Sequence, residues 1–188
     1  MAKTMKLLTA VLLAAACVSG GLYRAFRQEA LLTLAITCGV TGYHFGARLL
    51  VGGLFTWANP RHDPQKFWYR SRPWEEGLYT ALNVKAWKNK LPTYAPESFS
   101  PRLHSWREIA EAMCRSELVH ETNCALSFCP VYAAIWFGDL PVFLITSALA
   151  AAFDLLFVIV QRYNRPRRQR LAERQTMKEK EAIPYEPK

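Results

Sequence analysis

Glu117 and His120 stand one helical turn apart in Glu117-Leu118-Val119-His120-Glu121, and a carboxylate beside an imidazole is a pair that can move protons. The acid can hold one ring tautomer while the other nitrogen takes a proton from a hydroxyl or thiol. Nucleophile activation and acyl transfer need that arrangement. Two other readings stay open: a structural ion pair that fixes helix packing, and metal ligation of the Glu-x-x-His kind. The chain has no second such motif, so no metal site is expected. Placed at about 100° per residue, Trp106, Ile109, Ala110, Met113, Glu117, His120 and Cys124 fall in one narrow stripe. Apolar residues thus lead up to two ionisable ones, and a hydrophobic block follows. Ionisable groups at membrane depth are costly to desolvate and are functional candidates for that reason.

A second polar set closes the last apolar block, in Gln161-Arg162-Tyr163-Asn164-Arg165-Pro166-Arg167. Arg162 and Arg165 have the spacing of a clamp for phosphate or carboxylate. Capping of helical carbonyls would account for one or two of these groups, but not for all. Trp87-Lys88-Asn89-Lys90-Leu91-Pro92 is a further basic and aromatic cluster. Trp87, Lys88, Arg162, Asn164 and Arg165 are therefore the candidate substrate-binding residues, suited to a phosphate-bearing acyl donor and equally to lipid headgroups. Glu121, His44 and Arg48 are candidates for a supporting role. His44 and Arg48 share a helix face, where Arg48 either snorkels to an interface or meets an anionic substrate group. The five cysteines form no zinc pattern and read as packing residues. Cys114, one turn from Glu117, is the candidate thiol nucleophile, although no nucleophile motif surrounds it.

The elements that must hold these groups are apolar blocks. Leu7 to Tyr23 is uncharged and about long enough to cross a bilayer. Ala30 to Ala58 is broken only by His44 and Arg48; Thr122 to Phe137 follows, then Pro141 to Val160 with Asp154 inside it. These blocks predict an all-α protein, a small integral membrane bundle of about four helices. Gly42-x3-Gly46 predicts close packing of the second block on a neighbour. Ser105-x2-Glu108 is a capping box that starts a helix near Trp106, and Pro130 should kink or end the third block. Lys3 and Lys6 ahead of Ala14-Ala15-Ala16-Cys17 also suit a cleaved signal, but a retained helix is favoured.

The net charge of +9 is concentrated in two places. Residues 58–116 hold ten Lys/Arg against six acids, and residues 161–181 hold eight against three. The positive-inside rule puts both regions and both termini in the cytoplasm. Six prolines between Pro60 and Pro101, with Trp57, Trp68, Trp74, Trp87 and Trp106 inside or beside the stretch, suit an aromatic segment lying in the headgroup layer. Four segments follow: an N-terminal membrane hairpin over 1–58, the interfacial segment over 59–104, an amphipathic helix plus C-terminal hairpin over 105–166, and a charged, partly disordered tail over 167–188. The basic excess suits anionic lipid. Nucleic acid is excluded as a partner, because no binding motif accompanies the charge.

Three stretches carry a resemblance to a known family: Glu76-Gly77 and Tyr79 through Pro92, Glu117 through His120, and Val160 through Arg167. They resemble the glycosyl-4,4'-diaponeurosporenoate acyltransferases, which complete staphyloxanthin-type carotenoids. The resemblance implies a multi-pass enzyme of the bacterial cell membrane that esterifies a hydroxyl of a lipid-linked glycoside, a carotenoid glycoside or other glycolipid, with a fatty acyl group. It implies no bound cofactor, an acyl-CoA or acyl carrier protein as co-substrate, and membrane lipids and the glycoside acceptor as partners. Glu117, His120, Arg162, Asn164 and Arg165 match the family's pattern, while Glu121 and the longer termini depart from it. His120, oriented by Glu117, would then deprotonate the sugar hydroxyl, with Arg162, Arg165 and Lys88 on the donor or the oxyanion. The alternative is a non-enzymatic membrane adaptor or assembly protein that docks a partner through its basic-aromatic surface.

Overall fold

The computed structural model describes residues 2–58, 62–93 and 95–181, and every regular element among them is helical. The α-helices are α1 (Ala2–Phe26), α2 (Glu29–Ala58), α3 (Pro73–Ala81), α4 (Val84–Trp87), α5 (Trp106–Leu126), α6 (Ala134–Phe137) and α7 (Leu140–Glu181). Short 3-10 turns occupy Phe67–Tyr69, Lys88–Lys90, Pro96–Phe99 and Cys129–Ala133. The chain forms two compact units, each discontinuous in sequence: Met1–Asn59 with Thr122–Asp154, and Pro60–Glu121 with Leu155–Lys188.

Three helices among the described residues, α1, α2 and α7, are long and apolar enough to cross a membrane. The sequence predicts about four, and the third block is the one that fails. Its helical part ends at Leu126, Pro130 sits in a 3-10 turn, and α6 has only four residues. Proline cannot donate to a helical ladder, and neither remaining piece approaches the ~20 residues a crossing needs. Gly138 and Asp139 then take positive φ of 73° and 52°, which stops α6 and turns the chain into α7. The disorder expected of the tail concerns residues 182–188 only beyond α7, and these lie outside the described residues.

In the first unit α1 packs along α2 through the small residues the sequence singles out. A Cβ built on Gly42 would meet Leu13 Cδ2 at 3.0 Å and Leu12 Cβ at 3.3 Å; one on Gly46 would meet Thr9 at 3.6 Å. Hydroxyls along both helices bond back one turn, as Thr9 to the Met5 carbonyl (2.9 Å), Ser19 to Ala15 (2.7 Å) and Thr41 to Thr37 (2.7 Å). Arg48 neither snorkels nor stands open: it is ion-paired with Asp154, which is 1% exposed, and donates to the Ala150 carbonyl at 3.0 Å. Tyr43 donates to the Leu126 carbonyl at 2.9 Å.

The second unit has a conventional core. Ile109, Ala110 and Met113 on α5, members of the stripe the helical period predicts, are buried together with Cys114, Val84 and Tyr69. The α5 cap forms as the motif requires: Glu108 Oε2 accepts from the Ser105 N–H at 2.8 Å, and the Glu108 N–H donates to Ser105 Oγ at 3.3 Å. α7 runs unbroken through Pro166.

Gly42→Val is expected to destabilise the α1–α2 pair by about 1–3 kcal/mol, the usual cost of overpacking. Gly52→Val, where nothing lies within 4 Å, should leave it unchanged. Thermal unfolding of both variants in detergent checks the contrast.

Candidate active site

All the features that follow lie within the second unit unless stated. α3 starts at Pro73 with Glu75 and Glu76 in its first turn, where carboxylates complement the helix dipole. α5 carries Glu117 on its buried stripe, and α7 presents Arg162 and Arg165 one turn apart. The result is a four-membered charge lattice. Arg162 Nε donates to Glu117 Oε1 at 2.8 Å, its Nη1 to Glu75 Oε1, and its Nη2 to the Trp68 carbonyl at 2.7 Å. Arg165 Nη1 donates to Glu117 Oε2 and its Nη2 to the Tyr69 carbonyl. Glu75 Oε2 accepts from the Tyr79 hydroxyl at 2.8 Å.

Burial makes this lattice consequential. The side chains of Glu117 and Arg165 are 0% exposed, Glu75 is 3% and Arg162 is 14%. Desolvating four charges is expensive, and the cost is recovered only because each carboxylate meets a guanidinium and each guanidinium fills further donors with backbone carbonyls. The two acids and two bases cancel, so the lattice as a whole carries no net charge. Tyr69, whose carbonyl serves Arg165, has its phenol pushed up to about 12 by burial. Burial and the bond to Glu75 raise the Tyr79 phenol further.

Glu117, expected from sequence to orient His120, thus gives each of its oxygens to a guanidinium. His120 lies one turn further along α5 with its ring stacked on Phe157, centroids 4.6 Å apart and planes 9° from parallel. Glu121 Oε2 accepts from the Trp68 indole at 2.9 Å. Lys88 donates to Asn164 Oδ1 at 2.6 Å and stands 4.8 Å over the Tyr163 ring. Trp87 turns its indole N–H to the Leu82 carbonyl at 2.9 Å. Seven of the sequence-derived candidates (Lys88, Glu117, His120, Glu121, Arg162, Asn164 and Arg165) are therefore held on α5, α7 and the turn after α4. His44 and Arg48 belong to the first unit, where Arg48 is committed to Asp154. Cys114 is fully buried, and burial pushes its thiol up to about 11. A thiol so placed is a core residue and a poor nucleophile.

Sequence reading passed over Glu75, the carbonyls of Trp68 and Tyr69, and Phe157. Glu75 had a signal, since it stands four residues before Tyr79 on one short helix. Backbone acceptors had none, because any residue type supplies a carbonyl.

The family model that matches this chain is that of glycosyl-4,4'-diaponeurosporenoate acyltransferases, over residues 64–174. No curated protein and no solved structure matches it. The matched span contains every member of the charge lattice together with His120, Phe157 and Lys88.

Removing one side of the lattice is expected to be costly. Glu117→Ala leaves two guanidiniums without their acid and should lower stability by about 3–5 kcal/mol, whereas the double change Glu117→Met, Arg165→Met should cost much less. Thermal unfolding in detergent measures both. A milder dependence concerns His62, whose Nδ1 lies 2.8 Å from the Tyr69 hydroxyl. Burial first, then repulsion from Arg115 and Lys66, holds its imidazole below the usual value. Its folded value lies below its unfolded one, so its contribution is complete above about pH 6.5 and is lost as the pH falls toward the depressed value. Melting curves between neutral and mildly acid pH should show this loss, and His62→Gln should flatten it.

Proposed function

The chain belongs to the glycosyl-4,4'-diaponeurosporenoate acyltransferase family and is an acyltransferase, and we propose that it works in a membrane on a lipid-linked glycoside. The adaptor alternative falls with that assignment. The acceptor is a sugar hydroxyl of a carotenoid glycoside or similar glycolipid, and the donor is a fatty acyl thioester, acyl-CoA or acyl-carrier protein. The three apolar helices support a multi-pass chain in the bacterial cell membrane. The basic regions support cytoplasmic termini.

The observation that carries the mechanism is the placement of His120. Stacking on Phe157 fixes the plane of its imidazole, and the charge lattice begins one turn away at Glu117. In the proposed reaction His120 takes the proton of the acceptor hydroxyl as its oxygen bonds to the thioester carbonyl carbon. The carbonyl electrons move onto oxygen, and Arg162, the lattice member with some exposure, stabilises that oxyanion. Collapse breaks the carbon–sulfur bond, and the imidazolium returns its proton to the departing thiolate. Glu117 acts here by holding Arg162 and Arg165 in register, so that the oxyanion stabiliser needs no reorganisation during the reaction. Direct transfer is favoured over a covalent enzyme intermediate, because Cys114 is sealed in the core.

Mass spectrometry of lipids from cells with and without the protein should show one glycolipid species gaining a fatty acyl mass. His120→Ala should lower that conversion roughly 100-fold or more at unchanged protein level. Cys114→Ala should retain it. Conversion undiminished in the His120 variant would remove the proposed base.

A further inference from the structure

The neutral lattice leaves the question of where an anionic donor would be held. Arg162 and Arg165, which have the spacing of an anion clamp, are paired with Glu75 and Glu117, and only Arg162 keeps a partly exposed edge for a transient oxyanion. Four other cations of the same unit have no such partner. Lys88 is tied to Asn164 and lies over Tyr163. Arg167 and Arg168 follow Asn164 by three and four residues on α7, hence on the same face one turn on. Lys85 precedes Lys88 by three residues, one turn earlier on α4. Arg168 lies 4.9 Å over the Trp106 ring, as Lys88 lies 4.8 Å over that of Tyr163. Among the described residues no carboxylate is ion-paired to Lys85, Lys88, Arg167 or Arg168. Burial, and then the charges of Arg167, Arg168 and Lys85, hold the Lys88 ammonium below its usual value, which is the behaviour of a cation crowded by its own kind.

A cluster of four positive charges without counter-charge favours one multiply charged anion over several carboxylates, since phosphate can accept from guanidinium forks and an ammonium together. Its position narrows the source. Arg167 and Arg168 stand ten and eleven residues beyond Phe157, the ring that carries His120, or about 16 Å along the helix axis. A phospholipid ester carbonyl lies only a few atoms from its phosphate and would not bridge that distance. A thioester on a long phosphate-tethered arm would. Resting on the acyltransferase reading, we infer that Lys85, Lys88, Arg167 and Arg168 bind the phosphates of a coenzyme A thioester, whose arm delivers the acyl carbonyl to His120.

The test is a binding measurement that needs no turnover. Coenzyme A is titrated into the full-length protein in phosphatidylcholine nanodiscs, beside pantetheine, which has the arm without the phosphates. Wild type and the control Arg102→Gln should bind coenzyme A alike and bind pantetheine weakly. The double variant Lys85→Gln, Arg167→Gln should lose roughly tenfold in affinity for coenzyme A through two missing charge-assisted contacts. Equal affinity in the double variant, or pantetheine binding as tight as coenzyme A, overturns the inference. So does a wild type that ignores coenzyme A but whose cluster responds to nanodiscs containing phosphatidic acid, which would make it a headgroup site. His120→Ala should still bind coenzyme A. Turnover retained in that variant would sink the base assignment and leave the phosphate site standing.

Discussion

The second unit turns on one buried carboxylate. Glu117 is withdrawn completely from water and would be intolerable there alone, so two guanidiniums from α7 must reach it. Their arrival sets the register of α7 against α5. Their remaining donors then fix the Phe67–Tyr69 turn through its carbonyls and α3 through Glu75. Apolar contacts around Ile109, Met113 and Val84 supply burial but would tolerate sliding by a residue. Charge pairing inside a dry core does not tolerate it, because a slip strands a charge.

The same physics explains what was legible in the chain. The start of α5 could be read almost to the residue, because its capping box and its stripe of buried side chains are local signals, whereas its end at Leu126 falls four residues before the breaker at Pro130. The packing of α2 on α1 was visible in Gly42 and Gly46, because only small residues permit backbones to approach so closely. The third apolar block misled, since its hydropathy outweighed Pro130, which was legible as a breaker, and the pieces left on either side of it are too short to cross. Residue types and spacing singled out His120, Glu117 and the two arginines but did not foresee that Glu117 pairs with both arginines. Glu117 looked like a partner for the imidazole one turn away, whereas its nearest strong charges come from more than forty residues along the chain. Long-range pairing of that kind leaves no trace in local spacing.

Charge is partitioned between the two kinds of basic residue in a way composition hides. Arg48, Arg162 and Arg165 are internal and matched to acids, as in the Arg48–Asp154 pair of the first unit. The excess that gives the chain its +9 lies elsewhere, among side chains such as Lys85, Lys88, Arg167 and Arg168. A basic chain therefore need not expose its most conspicuous arginines, and in this acyltransferase the residues with charge to spare are the less conspicuous neighbours of Asn164.

Threonine and serine hydroxyls of α1 and α2 close on carbonyls of their own helix, whereas Tyr43 and Arg48 of α2 reach forward to the Leu126 carbonyl and to Asp154. α2 therefore carries an arginine that is matched only once Asp154 has been made. During synthesis α1 and α2 can pair as a hairpin, but Arg48 meets its acid only 106 residues later. The first unit is thus closed by its last residue, Asp154, rather than by its opening helices.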